Sequence, residues 1–203
     1  MANLITLSRF PLLFIYLALM YFGGETALLW NVPFIVLIFS MDTLDGWIAR
    51  KRGEASLLGS VFDIATDRSL EYVLWVVYAH LGLISVLVPI IVLIRGTSVD
   101  AVRSIGMKGG ISAFDQIQSP INRFLVSSRF MRALYGTVKA AAAGFLTLAY
   151  ALFSKGTNLS NLIHQIAIAL TWISVFVCVI RGVPVLIEGI KSIRTEPSNK
   201  QKI

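Results

Sequence analysis

Five of the eleven acidic residues in this 203-residue chain, Asp42, Asp45, Asp63, Asp67 and Glu71, fall inside two consecutive apolar stretches. A charged side chain at the centre of a bilayer costs roughly 2.5–3.5 kcal/mol on insertion scales, so such acids need cations, solvent or each other. Their spacing lets them share. Asp42, Asp45, Gly46 and Ala49 stand at i, i+3, i+4 and i+7, one stripe of a helix, and Gly59, Asp63 and Asp67 stand at i, i+4 and i+8 on the next. A short connection over 51–58 makes the two helices antiparallel neighbours, so four carboxylates converge at one end. Like charges at close range cannot all stay ionised unaided. An oxygen-only set without His or Cys suits magnesium, manganese or calcium and does not select zinc. Gly46, Ala49 and Gly59 leave an indentation beside such ions, flanked by Arg50. A nucleotide-linked diphosphate meets these requirements: metals bridge its phosphate oxygens, the arginine adds charge, and the glycines admit base and sugar.

The elements that must position these residues are membrane helices. At 56% hydrophobic, 14% charged and a mean hydropathy of +0.77, the chain is too apolar for a soluble domain of its size. With about 20 apolar residues per crossing, six spans are expected, at 3–22, 27–49, 57–80, 83–105, 131–153 and 162–187. The expected fold is all-α: one six-helix transmembrane domain over 1–194, no appended soluble module, and a polar tail over 195–203. Arg9 lies inside the first run and no small-residue cleavage site follows it, so this helix reads as retained rather than as a signal peptide. Between 106 and 130, Met107, Ile111, Phe114, Ile117 and Phe124 mix with Lys108, Asp115 and Arg123, the pattern of an interfacial amphipathic segment.

Charge fixes the expected orientation. If the N-terminus is cytoplasmic, twelve Lys and Arg fall in the inner connections and the tail, and only Lys155 lies outside. Both termini are then cytoplasmic, and the +7 net charge reflects topology and anionic lipid rather than nucleic acid. The single cysteine, Cys178, excludes a disulfide framework and reads as a packing residue. His80 and His164 fall near outward helix ends. Five basic residues remain within the spans: Arg9, Arg68, Arg95, Lys139 and Arg181.

Read continuously, Asp42-Thr-Leu-Asp45-Gly46-Trp-Ile-Ala49-Arg50, eight residues, Gly59, three residues, Asp63, three residues and Asp67 resembles the signature of the CDP-alcohol phosphatidyltransferase family at every fixed position. Eight specified residues at about 7% usage each match by chance on the order of once in a billion starts, so the resemblance is specific. It implies transfer of a phosphatidyl group from CDP-diacylglycerol to an alcohol, with release of CMP, in phospholipid biosynthesis. It also implies two divalent cations (Mg2+ or Mn2+) on Asp42, Asp45, Asp63 and Asp67, with Asp67 as general base. Gly46, Ala49, Arg50 and Gly59 would surround the cytidine diphosphate, and a homodimer is expected.

The acceptor must be read from the remaining charges. Asn3-x-x-Thr6-x-x-Arg9 resembles a first-helix pattern of the family, placing Thr6 by the nucleotide and Arg9 by nucleotide or acceptor. Arg95, Arg103 and Gly136-x-x-Lys139 resemble patterns of phosphatidylglycerophosphate synthases. With Arg9 and Arg181 they are candidates for binding an acceptor phosphate such as that of glycerol 3-phosphate. Those synthases carry Asp-Pro-x-Ala-Asp-Lys where this chain has Asp63-Ile-Ala-Thr-Asp67-Arg68, which keeps inositol phosphate or another alcohol as a rival. A snorkelling or helix-capping role is the alternative for Arg103 and Arg181. From another class, a cation or proton transporter would use the same aspartates, but with acids at the midplane and paired discontinuous helices.

Overall fold

The computed structural model describes residues 2–52, 57–108, 120–153 and 157–195. Among the described residues every regular element is a helix: α1 Ala2–Phe22, α2 Glu25–Arg52, α3 Leu57–His80, α4 Leu87–Lys108, α5 Pro120–Ser127, α6 Arg129–Leu152 and α7 Asn158–Thr195. The all-α expectation holds, and each of the six apolar runs coincides with one long helix. The short α5 lies within the segment read as interfacial, of which 109–119 fall outside the described residues. So do Lys155 and the tail from 196 onward.

Local chemistry sets the helix ends. Gly23 and Gly24 alone separate α1 from α2, and a Cβ on Gly23 would collide with the Leu19 carbonyl oxygen, so the turn is built for glycine. α3 ends in a Schellman arrangement: Gly82, at φ 73°, donates to the Ala79 carbonyl at 3.0 Å and Leu83 to that of Tyr78 at 3.0 Å. Ser128 Oγ accepts from Met131 N at 3.1 Å and Thr157 Oγ1 from Ser160 N at 3.3 Å, capping α6 and α7.

α7 carries an apolar stretch, Asn158–Lys191, long enough to cross a membrane, with mean hydropathy 2.2. Thr6–Phe22 and Glu25–Met41 are shorter apolar stretches. Large apolar side chains such as Phe14, Phe22, Trp30 and Phe176 stand exposed, as they do where the neighbouring medium is lipid.

The chain divides into two compact units. The first comprises Met1–Pro89 and Val138–Trp172, the second Ile90–Thr137 and Ile173–Ile203. In the first, α1 packs on α2 and α3. Its core is pinned by a buried polar network. Tyr16 Oη lies 3.0 Å from Tyr78 Oη and 2.7 Å from Thr147 Oγ1, while Asn31 Nδ2 donates to the Tyr16 carbonyl at 3.0 Å. These bonds join α1, α2, α3 and α6 where water is scarce and an unmet polar group is costly.

In the second unit Val99, Val126 and Val185 form a small apolar core with Leu186 against it. A Cβ on Gly182 would run into the Arg95 side chain, and one on Gly189 into Val102. The partners are seven apart on both helices and ascend together, so α4 and α7 run parallel here, brought close by small residues. Asn122 of α5 donates to Glu188 of α7. By contrast, a Cβ at Gly136 or Gly144 of α6 would meet nothing within 4 Å, while Ala142 and Ala143 between them are buried.

Candidate active site

In the first unit, Gly59, Asp63, Asp67 and Glu71 recur every fourth residue along α3, so the predicted stripe is realised on one helix. Asp42, Asp45, Gly46, Ala49 and Arg50 all fall within α2, with side chains outside the described residues. Among the described residues no three potential metal ligands group together. The described part of the expected donor set is therefore Asp63, partly buried, and Asp67.

Asp67 receives a hydrogen bond from Lys139 Nζ to its Oδ1 at 3.2 Å. The same ammonium lies 3.8 Å from Glu71 Oε2, and Arg68 Nη1 donates to that oxygen at 3.4 Å. The carboxylates differ in access: the Asp67 side chain is 36% exposed and that of Glu71 0%. Lys139 also sits 5.6 Å from the centroid of the Phe39 ring, a cation–π contact three residues before Asp42 on α2. Phe39, Glu71, Trp75, Tyr78 and Lys139 border one small cavity between the middle of α2, α3 and α6. Arg9 is fully buried on α1 and, with Lys139 and Arg68, is one of the positive charges acting on Asp67. Thr6, one turn earlier, is buried as well.

The second unit holds the remaining basic candidates. Arg181 on α7 lies within electrostatic range of Arg95 and Arg103 on α4. Its guanidinium rests over the Tyr135 ring at 5.5 Å and donates from Nη2 to the Val126 carbonyl at 3.4 Å, in the last turn of α5. Arg95 is seated against the Gly182 backbone. The Nε–H groups of Arg95 and Arg181 are buried without an acceptor among the described residues. The five basic residues expected around an acceptor phosphate thus form two sets: Arg9 and Lys139 with Asp67, and Arg95, Arg103 and Arg181 with each other. The helix-capping alternative holds in part for Arg181, through Val126.

Sequence reasoning did not find Glu71 as the partner of Lys139, Tyr135 beneath Arg181, or Gly182 beneath Arg95. Glu71 was visible as an extra acid one turn past Asp67; the other two carry no signal without tertiary contacts. His164, read as interfacial, shares a hydrogen bond of 3.0 Å with the Leu83 carbonyl, and Cys178 is buried.

The arrangement offers an accessible carboxylate with flanking cations in one unit and a like-charged guanidinium group in the other. It suits phosphate chemistry. A comparison with individually curated proteins finds no match. Residues 1–180 match the profile of CDP-alcohol phosphatidyltransferases, and that match spans most of the chain. The chain therefore belongs to the CDP-alcohol phosphatidyltransferase family, membrane-embedded phosphotransferases that move a phosphatidyl group from a CDP-alcohol to an acceptor.

Proposed function

We propose that this chain crosses the membrane six times as one domain over 1–194, with both termini cytoplasmic. At the cytoplasmic surface it transfers the phosphatidyl group of CDP-diacylglycerol to a small phosphorylated alcohol, releasing CMP. The observation that carries the acceptor class is the pairing of Arg95 with Arg181, whose Nε–H groups are buried without an acceptor among the described residues. Like charges held close together and partly buried repel one another and lose hydration, and a bound phosphate offsets both penalties through charge-assisted hydrogen bonds. Glycerol 3-phosphate, giving phosphatidylglycerophosphate, is the acceptor we favour. Inositol phosphate shares the same recognition chemistry, whereas serine or choline leaves these arginines unexplained.

Asp42, Asp45, Asp63 and Asp67 would hold two divalent cations, Mg2+ or Mn2+, a fit supported by an all-oxygen donor set. When bound, the ions stabilise charge on the diphosphate. Asp67, one-third exposed, takes the proton of the acceptor hydroxyl as its oxygen attacks the lipid-linked phosphorus and the bond to CMP breaks. Displacement is direct in this reading, for the chemistry has no need of a covalent intermediate. Thr6, Gly46, Ala49, Arg50 and Gly59 line the cytidine diphosphate, and the enzyme works as a homodimer.

The test supplies purified protein with CDP-diacylglycerol and, separately, glycerol 3-phosphate, inositol phosphate, serine and phosphatidylglycerol, and identifies the lipid product. A phosphorylated product with CMP release is expected; turnover with serine alone overturns the acceptor class. Excess chelator should stop CMP release and added Mg2+ or Mn2+ restore it. Undiminished turnover in chelator removes the metals from the reaction.

A further inference from the structure

We propose that Glu71 is a positioning residue for Asp67, acting through the Lys139 ammonium. The proposal rests on the reading of Asp67 as the proton acceptor. The two carboxylates stand one turn apart on α3, yet only Asp67 is accessible, the Glu71 side chain being 0% exposed. Glu71 therefore meets no substrate directly. A sealed carboxylate persists only where cations and hydrogen bonds offset its lost hydration, and Arg68 at 3.4 Å and Lys139 at 3.8 Å do so here.

Lys139 comes from α6 on a flexible four-carbon stem whose conformational freedom must be restrained before its charge can act at one oxygen. Contacts that restrain it include Asp67 Oδ1 at 3.2 Å, Glu71 Oε2 at 3.8 Å and the Phe39 ring at 5.6 Å. Glu71 is the charged part of that seat that is closed to solvent. Sharing the ammonium between two carboxylates keeps it on one oxygen of Asp67 without surrendering it wholly to Asp67. Remove the buried carboxylate and the share of the ammonium that Glu71 holds passes to Asp67, so the ammonium closes on the group that must receive a proton and bind cations.

The test compares wild type, Glu71→Gln, Glu71→Asp, Lys139→Met and the double variant E71Q/K139M as full chains in lipid nanodiscs. CMP release is followed with CDP-diacylglycerol and glycerol 3-phosphate, and Mn2+ binding is measured by electron paramagnetic resonance without turnover. Glu71→Gln should lower kcat by about 10- to 100-fold, the range for partners that orient a metal ligand, with KM for both substrates unchanged. Glu71→Asp should recover part of the loss. In the K139M background, E71Q should change neither kcat nor Mn2+ affinity further, because the intermediary is gone. An equal loss in both backgrounds, or a folded Glu71→Gln with wild-type kcat and Mn2+ affinity, overturns the proposal. If Glu71→Gln alone does not fold, K139M against the double variant, which removes opposite charges together, still decides it through Mn2+ binding. A wild type that releases no CMP with any acceptor overturns the proposed function instead, and the Mn2+ comparison remains the judge of Glu71.

Discussion

In the first unit the charges around Asp67 are of opposite sign, whereas in the second Arg95 and Arg181 act on each other with like charge. Asp67 and Glu71 are met by Lys139 and Arg68, with Arg9 nearby, so that cluster is largely satisfied by its own members. Arg95 and Arg181 are held by a glycine backbone, an aromatic ring and a main-chain carbonyl, none of which neutralises a guanidinium. A self-compensated cluster is suited to keeping a reactive group in one geometry while substrates come and go. A cluster braced by packing and left with its charge is suited to drawing in an anion. In the proposed function the first carries the chemistry and the second the recognition.

Asp67→Asn should break the comparison most severely. It keeps the volume and removes the proton acceptor, so CMP release should fall by about 10²–10⁴-fold while the thermal transition stays near wild type. Retained turnover would take Asp67 out of that role. Arg181→Gln should leave the chemistry intact and act on recognition. Losing one charge-assisted contact, about 1.5–3 kcal/mol, should raise KM for the phosphorylated acceptor by roughly tenfold or more and leave that for CDP-diacylglycerol unchanged. A fall in kcat at unchanged acceptor KM would merge the two roles. The mildest change is Gly182→Ala, which adds one methyl group under Arg95. The overpacking penalty of about 1–3 kcal/mol should appear partly as a lower thermal transition and partly as a weaker acceptor KM. Wild-type values for both would mean that Arg95 has room to move.

The helices were legible because apolar runs and turn chemistry agree. The run over 57–80 coincides with α3, since Gly82 ends the helix as soon as the hydrophobic sequence does. α7 outruns the expected end at 187 because Glu188 and Lys191 continue a helix beyond its apolar part, one of them paired with Asn122. α4 starts at Leu87, later than the expected 83, because the glycine turn is followed by Ser85, whose hydroxyl accepts from Leu87 N at 3.3 Å. The acids of α3 stood out because carboxylates in an apolar run are expensive. What faces them did not stand out, for helical spacing says which residues share a side and not which other helix lies opposite. Nothing in its own helix announced that Lys139, a candidate for the acceptor phosphate, would be brought by α6 to Asp67 and Glu71.

Tyr78 has a mechanical consequence for the acids earlier on its helix. A helix in lipid is free to roll about its long axis unless some bond records its angle, and Tyr78 is tied by its hydroxyl to Tyr16 and to the Ala143 carbonyl at 3.2 Å. Tyr78 lies seven residues, close to two full turns, beyond Glu71, so locking one end sets the azimuth of the whole acidic row. Each residue inserted between them would turn that row by about 100° and aim it elsewhere without unfolding anything.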